Sequence, residues 1–147
     1  MKKYRFGFDF PALALFLAIM APNFFWFAMP APHDVLRTAP SPAALDAIAS
    51  ICQVLMVVTL CLLINRERER LRATPLMVSA AVCCVLYFVS WAVYYTGLLN
   101  AVVIFGLILP PCGAFLLFAV DRRNMIATGF ASLFTLFHLI HGIMILI

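Results

Sequence analysis

The chain ends in "FTLFHLIHGIMILI", residues 134–147, which sets His138 and His141 in a run otherwise suited to lipid. An imidazole inside a bilayer is expensive and needs a partner, a water-filled space or a task. Two histidines three residues apart on one helix can share a face, and metal ligation is the first chemistry to test. A zinc site wants at least three convergent donors, and metalloprotease helices carry H-E-x-x-H with its catalytic glutamate. Asp46 or Cys52 is the nearest thing to a third ligand, which is too few, so no metal is assigned. A haem held between two axial histidines is excluded for a pair on one helix, although one of them has the chemistry of a single axial ligand. No cofactor is assigned. The cysteines Cys52, Cys61, Cys83, Cys84 and Cys112 form no C-x-x-C pair and read as small apolar filler. With no nucleophile, carboxylate pair or metal set, catalysis ranks last among the functions considered.

More telling is the way polar residues line up. Stepping 100° per residue along the last helix brings Thr128, Ala131, Ser132, Thr135, His138 and Gly142 together, with His141 on the flank. The other side holds Phe130, Leu133, Phe137, Ile140 and Met144, a face for lipid. Ser79, Cys83, Tyr87, Ser90, Tyr94 and Gly97 form a second stripe, and Asp46, Ser50 and Gln53 a third. Asn23 follows Pro22 in the first apolar run. At about 1.5 Å per residue, Asn23, Tyr87 and His138 each lie about 20 Å from the cytoplasmic boundary, and Gln53 reaches the same level. Asp46 and His141 lie nearer the outside, and the cytoplasmic half is plainer. Asn23, Gln53, Tyr87, His138, His141 and Asp46 are therefore the candidate ligand-binding residues. The competing explanation is an interhelical hydrogen-bond network, each contact contributing about 1 kcal/mol or less. Trp26, Trp91, Tyr94 and Tyr95 fit an interfacial aromatic belt.

The elements that carry these residues follow from composition. The chain of 147 residues is 66% hydrophobic and 11% charged, with a mean hydropathy of +1.09. No soluble domain of this size hides that much apolar surface. The chain reads as an all-α integral membrane protein, a single transmembrane domain over residues 1–147. Five runs are long enough to cross a bilayer, near 10–29, 44–64, 75–97, 99–120 and 125–147. Nine of the ten basic residues (all but Arg37) fall before the first run, between the second and third, or between the fourth and fifth. The positive-inside rule then gives a cytoplasmic N-terminus and an outside C-terminus, in a bacterial-type inner membrane. The net charge of +4 is this asymmetry and calls for no nucleic acid. The first run is too long for a signal-peptide core, and no A-x-A site follows it. The charges of "NRERERLR" alternate in sign and read as a solvated helix end.

Punctuation agrees with these boundaries. Ser41 is the expected N-cap of the second helix, with Pro42 at its first position and Asp46 in its first turn. Thr74 with Pro75, and Asn124, repeat the device. The proline-rich loop "PAPHDVLRTAPSP", residues 30–42, is expected as a spacer, with a lid as the functional alternative. Pro110 and Pro111 remove two backbone donors in the fourth helix, which should kink or break there. Gly106 and Gly113 allow close neighbours.

The "PN" of the first helix and "WAVYYTG" of the third resemble elements of the SWEET and PQ-loop sugar carriers. Those carriers place the elements on successive helices, whereas here another helix intervenes, and no function is carried over. The expected function is binding or transport of a small solute through an outward-facing polar pocket, with the lipid bilayer as surroundings and a homo-oligomer or other membrane proteins as partners. The alternative is a non-catalytic subunit that stabilises or regulates a larger membrane complex.

Overall fold

In the computed structural model, residues 3–39, 41–68 and 70–147 are described; Lys2, Pro40 and Glu69, used in the loop and charge patterns above, lie outside them. Five helices are long and apolar enough to cross a bilayer, which is the architecture of a multi-pass membrane protein. They are α1 (Phe10–Ala28), α3 (Ala43–Leu62), α4 (Pro75–Tyr95), α5 (Ala101–Asp121) and α6 (Met125–Leu146), and a short α2 (Val35–Thr38) sits in the proline-rich loop. Each long helix begins and ends within two residues of its apolar run.

Side-chain caps fix most of the starts. Asp9, Thr74, Asn100 and Asn124 each accept a hydrogen bond from a first-turn amide of the helix that follows. The second run departs from expectation. Pro42, not Ser41, is the N-cap of α3, and no side chain caps it. The Ser41 hydroxyl donates instead to the Asp46 carboxylate at 2.6 Å, a charge-assisted hydrogen bond. Gly97, at φ 83°, makes the turn out of α4, a backbone conformation that suits glycine.

The helices form a ring. α5 packs between α4 and α6, α3 lies against the other side of α6, and α1 closes the circle between α3 and α4. α5 is the most buried of the five. Helix runs unbroken through Pro110 and Pro111. Close approach is confirmed at two glycines of this seam. A Cβ at Gly106 would stand 2.2 Å from Ser90 Oγ, and one at Gly113 3.3 Å from Cys83 Sγ.

The end that carries the arginine clusters is not plain, contrary to expectation. A two-stranded antiparallel ladder pairs β1 (Tyr4–Phe6) with β2 (Leu63–Asn65). Asp9, Asn65, Asp121, Arg122 and Asn124 are all buried there. Arg122 forks onto Asp9 Oδ2 through Nε at 3.0 Å and a terminal nitrogen at 2.5 Å, joining α1 to the end of α5. Asn124 donates to the carbonyls of Thr59 and Leu63, both at 2.8 Å. Thr74 donates to Asp121. Hydropathy sees such residues only as the ends of spans, yet here they tie the ends together.

Candidate functional site

Every long helix sends side chains to one central cavity of about 280 Å³. α1 contributes Ile19, Met20, Asn23, Trp26 and Phe27; α3 contributes Gln53; α4 contributes Tyr87 and Trp91. α5 supplies an apolar wall of Leu107, Ile108, Pro111 and Phe115, and α6 adds Phe134, His138, His141 and Ile145. The wall is apolar and aromatic with a few placed polar groups, the usual make-up of a small-molecule pocket.

Five of the six candidate residues line this space. Asn23 Nδ2 donates to Tyr87 Oη at 2.8 Å and also to the Ile19 carbonyl at 3.2 Å. Among the described residues, Gln53 Nε2 meets only the thioether of Met20, at 3.9 Å. His138 stacks on Phe134 at 4.8 Å between ring centres and lies 6.5 Å from the His141 ring. No hydrogen bond to its nitrogens forms among the described residues. Asp46 is the exception: it stands outside the lining, half-exposed, 3.6 Å from His141 Nδ1. Ser41 Oγ lies 3.1 Å from the same nitrogen. Serine and aspartate crowd one ring nitrogen, whereas a catalytic relay needs them on opposite nitrogens. This trio is a contact, not a triad. No group of three or more His, Cys, Asp or Glu able to hold a metal ion occurs among the described residues.

The structure revises the stripes. On α4 the buried line is Ala80, Tyr87, Trp91 and Tyr94, while Ser79 is exposed. On α3 the buried line is Cys52, Met56 and Leu60, while Asp46 and Ser50 are exposed. On α6 Ser132 is exposed, and the hydroxyls of Thr128, Ser132 and Thr135 bond back to their own helix. Polarity alone mislocates these faces because a hydroxyl can be satisfied by the carbonyl four residues earlier.

Comparison with known proteins gives no match: neither a family model, nor a curated protein, nor a solved structure resembles the chain. Geometry must carry the function.

Two features were not read from the sequence. The first is Trp91, 5% exposed, whose indole nitrogen is buried in the cavity wall without a hydrogen-bond partner among the described residues. The Tyr87 hydroxyl lies near it but outside bonding geometry. The second is a latch. Asp34 in the proline-rich loop accepts from Trp26 Nε1 at 2.7 Å, Tyr94 Oη at 2.9 Å and Arg37 Nε at 3.1 Å. Arg37 lies over the Trp26 ring, 4.7 Å from its centre, and donates to the Trp26 carbonyl. The latch folds α2 across the end of the bundle, so that Leu36 lines the cavity. Trp91 and Tyr94 are therefore interior groups, not members of a lipid-facing belt. The repeated Trp and Tyr on one face of α4, opposite the lone Asp of the loop, was the available signal.

Proposed function

We propose that this chain binds a small uncharged molecule in the five-helix cavity and passes it toward the outer face of the membrane. The observation that supports this is the meeting of Asn23, Gln53, Tyr87, Trp91 and His138, from four helices, around one space. A purely structural network would pair these groups with one another. Only Asn23 and Tyr87 do so directly, while among the described residues the buried Trp91 indole N–H has no hydrogen-bond partner and the His138 ring has only ring contacts, with Phe134 and His141. Among the described residues, the lining holds no Lys, Arg, Asp or Glu. A charged guest would pay for desolvation without a counter-charge, a cost of several kcal/mol. By the positive-inside rule the arginine-rich end faces the cytoplasm of an inner membrane, with the N-terminus inside and the C-terminus outside. The cavity then opens in the outer half. Five helices enclose one cavity and leave no second half to rock against it, so the working unit is an oligomer or a complex with another membrane protein.

The two tryptophans of the chain both line the cavity, so intrinsic fluorescence reports its occupancy. The test is a fluorescence titration of the reconstituted protein with small uncharged compounds, repeated on His138→Ala. Loss of the response with an unchanged unfolding temperature supports the proposal, because among the described residues His138 makes no hydrogen bond whose loss would destabilise the fold. A lower unfolding temperature and no response in either protein would favour the non-catalytic subunit.

A further inference from the structure

A second hollow of about 280 Å³ lies between α1 and α3, walled by Phe16, Met20, Gln53, Val54, Val57 and Val58. Met20 and Gln53 also line the central cavity, so these two side chains form a wall shared by the two spaces. That wall is soft. Met20 is an unbranched thioether that changes rotamer easily. It is held by Gln53 Nε2 at 3.9 Å and Asn23 Nδ2 at 4.0 Å, both on sulfur, a weak acceptor. On the outer side, Val54 and Val58 are 60% and 45% exposed, where lipid would surround the bundle.

We propose that the ligand of the cavity is an amphiphile drawn from the bilayer, its uncharged head in the central cavity and its hydrocarbon tail in the α1–α3 groove. The inference rests on the ligand-binding reading given above and names the class of ligand. Three observations carry it. The groove is apolar apart from the Gln53 amide, whereas the cavity holds the polar groups, so polarity falls from the cavity to the groove across their shared wall. The buried Trp91 N–H calls for an acceptor, which a carbonyl, ether or hydroxyl oxygen of the head supplies. The shared wall is built from the side chains best able to swing aside, between a helix pair that meets across a hollow. A water-soluble solute would occupy the cavity alone and give the groove no part in binding.

Alkyl esters of para-hydroxybenzoic acid make a suitable probe series, because the head is constant, uncharged and acceptor-bearing while the chain grows from methyl to octyl. Binding of radiolabelled esters is measured on the full chain in lipid nanodiscs, as the excess over empty nanodiscs of the same lipid. Referred to the ester dissolved in the bilayer, affinity is expected to rise tenfold or more from methyl to octyl. Val54→Phe, at an exposed position, should remove that gain and leave methyl-ester binding within twofold. Val58→Phe, one turn along, should do the same. If methyl and octyl esters bind equally, or if neither plug affects the octyl ester, the groove holds no tail and the amphiphile proposal falls while the cavity still binds. If no ester binds to correctly folded protein, both the proposal and the ligand-binding reading beneath it fail.

Discussion

Asp34→Ala should open the end of the bundle without unfolding it. The wild-type carboxylate is 9% exposed and accepts from an indole, a phenol and a guanidinium. Hydrogen bonds to a charged acceptor contribute about 1.5 kcal/mol each at the low end of their range, and the sheltered Trp26 and Tyr94 donors together give about 3 kcal/mol. The Arg37 side chain is 37% exposed, so its ion pair is discounted to about 0.5 kcal/mol. Alanine removes all of this, and 1.4 kcal/mol is a factor of ten, so local opening of residues 33–39 should become roughly 300-fold more frequent. Hydrogen–deuterium exchange of the peptide spanning that segment reads the change directly, through amides such as Arg37 and Ala39 that bond within it. Tryptophan emission should shift to the red as Trp26 loses its acceptor. The unfolding temperature should move less, because local opening does not involve the core. Asp34→Asn keeps an acceptor and loses the charge, and should fall between the two. If Asp34→Ala exchanges and emits like the wild type, the carboxylate does not hold the loop, and the latch is refuted.

Three other substitutions test the packing. Arg122→Met leaves the Asp9 carboxylate buried without its guanidinium and should cost about 3–5 kcal/mol, seen as a large fall in thermal unfolding temperature; adding Asp9→Asn should restore much of it. Gly106→Ala sets a Cβ 2.2 Å from Ser90 Oγ and 3.0 Å from Ser90 Cβ, so it should lower the unfolding temperature as α4 and α5 are forced apart, with partial recovery in the Ser90→Ala background. Gly129→Ala meets nothing within 4 Å and should raise stability by up to about 1 kcal/mol, the helix-propensity difference; equal effects at the two glycines would show that the close seam does not govern packing.

Hydropathy located the five long helices because apolar length is a property of each segment alone. The Thr74 and Asn124 caps were legible for the same reason, since a cap acts on amides a few residues away. Shared depth brought Asn23 and Tyr87 together correctly, because two residues at one level of a bundle need only face inward to meet. Direction around each helix was harder to read. The polar stripe chosen on α4 held Tyr87 and Tyr94, which are buried, but it also held Ser79, which is exposed, and left out Trp91, which is buried. An aromatic ring suits both lipid and interior, so its type does not reveal where it points. Asp9 and Arg122 are 113 residues apart, and Asp34 lies 60 residues from Tyr94. Neither contact leaves any periodic mark, although Asp9 before "FP" has the pattern of a helix cap with proline in the first turn.

Those two long-range contacts bear on the proposed entry of a ligand at the α1–α3 seam. At one end, Asp9 fixes the start of α1 to Arg122 and, through its backbone amide, to the Cys61 carbonyl at 2.8 Å. At the other end, Trp26 and the last carbonyls of α1 are held by Asp34 and Arg37. Between these clamps Pro22 removes a backbone donor, and the hydrogen bonds from α1 to its neighbours are Asn23 to Tyr87 and the weak contact of Gln53 with Met20. A helix fixed at both ends and lightly held in the middle can let Met20 move without giving up its place in the bundle. α5 has the opposite character, being buried along its length between α4 and α6. The cavity thus has one firm wall, α5, and one compliant wall, α1, and the compliant wall is the one with a groove on its outer side.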